Sequence, residues 1–216
     1  MNDVGAAIFS ASLVTPLISI IDRAIFNNAS GTPMVASISR DVAGLFKNPV
    51  VFLKQPSVLF ILGVYSSTYI AANLTQSWCL KSGQSWQFPT FVASSSTNVI
   101  LSVVKDNYYT RTFGTGVAKS VAKSSLSLYG LRDSMSVFAS FNLPPILAAT
   151  VLKDYDPKWS LFFAQLITPC AMQFINTPLH LLGMDIYNRQ DASIANRMSF
   201  IKKEYLKTTL ARIGEI

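Results

Sequence analysis

The sequence predicts an all-α protein, a polytopic bundle of about five transmembrane helices forming a single membrane domain over residues 1–216. Three observations predict it: an apolar composition, a series of long uncharged stretches, and a lopsided distribution of Lys and Arg between the loops. Half of the residues are hydrophobic and 13% are charged, with a mean hydropathy of +0.35. Soluble domains carry about 25% charged residues. A chain this long can bury an adequate core in water without so much apolar surface, so the surplus calls for lipid as solvent.

A bilayer core takes ~20 mostly apolar residues of helix. The first stretch, Val4 to Ile21, has no charge. The second, Pro56 to Leu80, is uncharged and rich in Leu, Ile, Val and Tyr. Phe88 to Val104 is diluted by Ser94, Ser95, Ser96, Thr97 and Asn98. Leu126 to Leu152 is apolar apart from Arg132 and Asp133. Trp159 to Met184 is long and lacks Asp, Glu, Lys and Arg.

Alternating these spans puts three loops on one face. They hold 14 Lys and Arg, the opposite face holds Lys81, Lys153 and Lys158, and Arg132 stays inside a span. Basic residues accumulate on the side from which segments insert. The same asymmetry accounts for the net charge of +7 without a nucleic-acid partner, and no aromatic-basic interleaving of an RNA platform is present. The start, Met-Asn-Asp, lacks the basic n-region of a secretory signal, so the first span is expected to remain in place. Cys79 and Cys170 are too few for a disulfide framework.

The odd spans carry polar residues at helical spacing, such as Ser12, Thr15 and Ser19, or Gln165, Thr168, Gln173 and Asn176. Such residues face a bundle interior or a watery cavity. Helix-interior prolines at 16, 169 and 178 predict kinks. Thr15-Pro16-Leu17 recurs as Thr177-Pro178-Leu179, with Thr97-Asn98-Val99 midway between them. Seven residues after each anchor stand Arg23, Lys105 and Asp185. This predicts three approximate repeats, 1–83, 84–155 and 156–216, the last incomplete. Loop residues Val42, Leu45, Phe46 and Val50, and tail residues Ile201, Tyr205, Leu210 and Ile213, predict amphipathic surface helices.

On these features the chain resembles the mitochondrial carrier family. The resemblance implies three units of odd helix, surface helix and even helix, and a mitochondrial membrane, the inner one by preference, with the basic loops on the matrix side. The family's signature places an acid two residues after the Pro, a base five after it and often a second base seven after it. Here Pro16 is followed by Ile18, Ile21 and Arg23, and Pro178 by His180, Gly183 and Asp185. The resemblance makes Arg23, Lys105 and Asp185 gate-like charges. The run Leu128-Tyr-Gly-Leu-Arg132-Asp133 looks like the start of a family even helix, where transporting members contact substrate. The tail reaches Ile216 without a sixth span, which predicts a truncated form or a five-span relative.

Arg132 and Asp133 are read as a pair, because a lone charge inside a span costs several kcal/mol. They are candidates to hold the carboxylate and amine of a small anionic or amino-acid-like solute, with Asn176 and His180 beside them; the alternative for the pair is a structural ion bridge. One His and two distant Cys exclude a His-rich metal site and a zinc ribbon. No Walker loop or Gly-x-Gly-x-x-Gly motif is present, and no cofactor, metal or catalytic residue is predicted. Two functions fit: a solute transporter, or a non-transporting adaptor or scaffold with a membrane-protein partner or a second copy covering its open side.

Overall fold

The computed structural model describes residues 2–116 and 120–216, without the side chains of positions 2–4, 6, 7 and 10. The described residues form nine α-helices and no strand. In order these are α1 (Asn2–Ala29), α2 (Met34–Lys47), α3 (Pro49–Leu53), α4 (Pro56–Lys81), α5 (Gln87–Phe113), α6 (Lys123–Phe141), α7 (Leu143–Thr150), α8 (Pro157–Asn188) and α9 (Ile194–Ile213). The helices α1, α4, α5 and α8 have 28, 26, 27 and 32 residues. At ~1.5 Å of rise per residue each is longer than the ~30 Å hydrocarbon core.

The five-span expectation is corrected in two places. Among the described residues one helix, Pro56–Lys81, is both long and apolar enough to cross a membrane. The first predicted span falls partly on positions 4, 6, 7 and 10, whose side chains lie outside the described residues. In α5 and α8 the length suffices, but serines, Asn98, Gln165, Gln173 and Asn176 lower the hydropathy. The fourth stretch is not one helix, since α6 stops at Phe141 and α7 starts at Leu143. Pro144 and Pro145 offer no N–H to the carbonyls of Ser140 and Phe141, and their rings crowd that turn.

Burial is inverted relative to a water-soluble bundle. Thr15, Ser19, Ser94, Ser102, Thr168, Gln173, Asn176 and Thr177 are buried, while Leu13, Leu17, Ile100, Phe163 and Ile175 on the same helices are exposed. In water the reverse would hold. A bundle whose outer surface is Leu, Ile and Phe matches a lipid surround, and its polar residues turn inward. Of the polar positions expected to face inward, Ser12, Ser96 and Gln165 do not; all three are exposed.

Neighbouring helices pack in sequence, α1 on α4, α4 on α5, α5 on α6, and α6 on α8. α1 and α8 meet only sparsely. α9 lies along α8 and reaches across to α1, where Asn28 Nδ2 donates to Glu204 Oε2 at 2.6 Å. At the end of the ring that bears α2 and α3, Ile25, Phe26, Tyr109, Tyr129, Leu181 and Met184 converge into one packed cluster. Gly183 permits this convergence, because a Cβ there would lie 2.6 Å from Tyr129 Cε1.

The surface helices differ from one another. α2 packs Val42 and Leu45 of the expected stripe against Ile20, Phe52 and Val58, whereas Phe46 is exposed and Val50 is exposed on α3. α9 does the opposite. It buries Glu204, Thr208, Thr209 and Arg212 along with Ile201, and leaves Leu206 and Leu210 exposed. The second predicted repeat has no surface helix among its described residues, since residues 114–116 and 120–122 between α5 and α6 are not helical. A three-fold repeat of odd, surface and even helix is therefore not reproduced in the middle unit.

Candidate functional site

All three helix-interior prolines lie where expected, Pro16 in α1 and Pro169 and Pro178 in α8. A helix proline leaves the carbonyl four residues earlier without its donor. For Pro178 that carbonyl belongs to Phe174, and Tyr205 Oη of α9 donates to it at 3.0 Å. The kinked α8 and the tail helix are thus joined at the proline's own defect.

The ring encloses a cavity of about 210 Å³, smaller than the ~300–1,000 Å³ of drug-sized sites and suited to a small metabolite. Ionic residues Asp22, Lys105, Arg132, Asp133, Arg212 and Glu215 line it, together with Asn98, Ser102, Ser136, Ser140 and Gln173. The packed aromatic cluster closes it on one side. Along α6 toward the other side, burial gives way from Arg132 to the exposed Ser140.

A ladder of alternating charge crosses three helices. Asp22 on α1 meets Lys105 on α5 at 2.5 Å. Lys105 Nζ lies 3.2 Å from Asp106 Oδ1. Asp106 Oδ2 takes Arg132 Nη2 of α6 at 2.6 Å, and Arg132 also binds the adjacent Asp133. Asp133 Oδ2 is buried and accepts no hydrogen bond. Each cation here has two carboxylates, which offsets the desolvation of buried charge.

The other wall is built differently. Arg212 on α9 donates from Nε to Gln173 Oε1 at 2.9 Å and from Nη1 to His180 Nδ1 at 2.7 Å. Nearby, Glu215 follows α9 with its Oε1 sealed from solvent and without a partner. Burial, with Asp22 beside it, pushes the Glu215 carboxyl up to about 8.

Arg132 and Asp133 line the cavity as the sequence anticipates. Asn176 and His180 lie one layer behind it. Asn176 Nδ2 donates to the lining Ser136 at 2.8 Å, and His180 backs Arg212. The three gate-like charges do not meet one another. Arg23 pairs with Asp41 of α2 and binds Gln55, Lys105 joins the ladder, and Asp185 pairs with Arg189 and Arg197. Sequence reasoning named Gln173 as a residue of the polar interior but missed Asp22, Asp106, Arg212 and Glu215. The signal lay in the helix ends: α1 and α5 run on past Ile21 and Val104, which turns two presumed loop acids into ladder members.

A family model described as "Probable citrulline exporter" matches residues 6–216. The chain belongs to this family of probable citrulline exporters. No curated protein and no solved structure matches the chain. Membership overturns the resemblance to the mitochondrial carriers, and with it goes the basis for a mitochondrial placement. The carrier signature was already broken in the residues: its gate positions are Ile18, Ile21, Ile100, Val103, His180 and Gly183. The charges fall six to eight residues past each anchor instead, at Asp22, Arg23, Lys105, Asp106 and Asp185. What the family supports is solute transport in a membrane, and this favours the transporter reading over the adaptor.

Proposed function

We propose that this protein exports a zwitterionic amino acid of citrulline's kind through the central cavity, with α1, α4, α5, the α6–α7 pair and α8 crossing the bilayer. The observation that carries the reading is the cavity's mixed lining. Both signs of charge stand beside uncharged amides and hydroxyls. Citrulline presents an ammonium, a carboxylate and a neutral ureido group. An ammonium fits Asp133, whose Oδ2 is buried and unpartnered while Oδ1 is held by Arg132. A ureido group needs neutral donors and acceptors, which Asn98, Ser102, Ser136 and Gln173 supply. The exposed apolar outer faces of α1, α5 and α8 support the bilayer crossing.

Ligand that binds only the folded protein raises its melting temperature by mass action. Purified protein in detergent is expected to melt higher as citrulline is added, saturably, and N-acetylcitrulline, which lacks the ammonium, is expected to shift it far less. Equal shifts with both compounds, or none with either, would remove the ammonium assignment.

A further inference from the structure

Three cations line the cavity: Lys105, Arg132 and Arg212. The first two are neutralised by Asp22, Asp106 and Asp133. Arg212 is 8% exposed, and among the described residues no carboxylate lies within ion-pair distance of it. Its partners are Gln173 and His180. A guanidinium only donates, so His180 Nδ1 is the acceptor and the ring is neutral. Nη2 has no hydrogen-bond partner among the described residues. An enclosed cation held by two neutral groups has no carboxylate in contact to offset its desolvation; Glu215, which lines the same cavity and feels the charge of Arg212, stands beyond ion-pair distance. Arg212 also retains the flat fork that receives a carboxylate in bidentate fashion.

We infer that Arg212 is the receptor for the carboxylate of the transported solute. The inference rests on the transport reading above and adds the residue that reads one end of the solute. The helix that carries Arg212 is fixed for this purpose. Tyr205 ties α9 to the freed carbonyl of Phe174, Arg197 pairs with Asp185 at 2.8 Å, and Glu204 accepts from Asn28. The solute's carboxylate takes Nη2 and then competes with Gln173 and His180 for Nη1 and Nε. Asp133, which lines the same cavity, takes the ammonium on the same α-carbon, and the ureido arm is left to the amides and hydroxyls.

The test is uptake into proteoliposomes of labelled citrulline and of its decarboxylated analogue, carbamoylputrescine, by wild type, Arg212→Ala and Arg212→Lys. Folding of each variant is checked by melting in detergent. Wild type is expected to prefer citrulline, and Arg212→Ala to lose about tenfold or more of that preference by raising KM for citrulline alone. Arg212→Lys keeps the charge and is expected to retain part of the preference. If Arg212→Ala lowers uptake of both compounds equally, the residue is structural and the inference fails while the transport reading stands. If Arg212→Ala does not fold, loss of the preference in Arg212→Lys supports the inference and full retention overturns it. A folded wild type that moves neither compound overturns the transport reading, and this inference with it.

Discussion

On the α1, α5 and α6 side of the cavity, Lys105 and Arg132 alternate with Asp22, Asp106 and Asp133, and each cation is shared between acids. On the α8 and α9 side, Arg212 meets only Gln173 and His180. The chemistry available is the same, buried charge in a polar pocket, yet one wall is closed on itself and the other is left open to an anion. A saturated ladder holds helices together. An unsaturated cation is what a solute can complete. The two walls thus divide the work, with scaffold on one side and recognition on the other, and Asp133 Oδ2 is a ladder oxygen that no hydrogen bond occupies.

The largest effect should come from breaking the saturated wall at its centre. Asp106 is wholly buried between Lys105 and Arg132. Asp106→Ala leaves two neighbouring cations underpaired, and removing one partner of a buried ion pair costs about 3–5 kcal/mol. Chemical or thermal melting in detergent should show that loss. Arg212→Ala, with no acid partner to strand, is expected to be milder in the same assay. If the two cost the same, the contrast between the walls is wrong.

A smaller effect concerns the cluster that closes one end of the cavity. Any Cβ at Gly183 meets the Tyr129 ring, whereas one at Gly63 meets nothing within 4 Å. Gly183→Val should destabilise by about 1–3 kcal/mol through overpacking, and Gly63→Ala should be close to neutral or slightly stabilising. A melting comparison of the two variants checks this directly.

The smallest effect is a pH dependence. The Glu215 carboxyl titrates near 8 in the folded protein, against an ordinary value of 4.5. The folded state therefore holds the proton more tightly than the unfolded one. This contribution to stability is full below about pH 4.5, declines as pH rises, and is gone above about pH 8. The charges that set the shift are Asp22, which raises it, and Arg212, Lys105 and Arg132, which oppose it. Glu215→Gln should flatten the melting profile across that window, and an unchanged slope would place the titration elsewhere.

Much of the fold was legible in the sequence. All five apolar stretches are helical, the helix prolines sit inside α1 and α8, and Val42 and Leu45 mark the packed face of α2. Two kinds of residue misled. The Pro144-Pro145 pair broke the fourth stretch, although hydropathy alone runs straight through it. The tail pattern of Ile201, Tyr205, Leu210 and Ile213 suggested an amphipathic surface helix, whereas α9 turns Glu204, Thr208 and Arg212 inward. Periodicity locates a stripe but does not say whether water or protein faces it, and near lipid the usual sign reverses. The site was half legible. Arg132 and Asp133 stand out as charges within an apolar run, but Asp22 and Asp106 were hidden by helix ends set too early. The side-chain partners of Arg212 lie far from it in sequence, on α8, and only the packing of α9 along α8 reveals them.

The most direct measurement of the central claim is counterflow in proteoliposomes. Vesicles loaded with unlabelled citrulline are placed in a trace of labelled citrulline, and internal label is followed over time. Wild-type protein is expected to drive a transient accumulation of label above the external level, absent from empty vesicles and strongly reduced for Arg212→Ala. No accumulation by protein shown to be folded would contradict that claim.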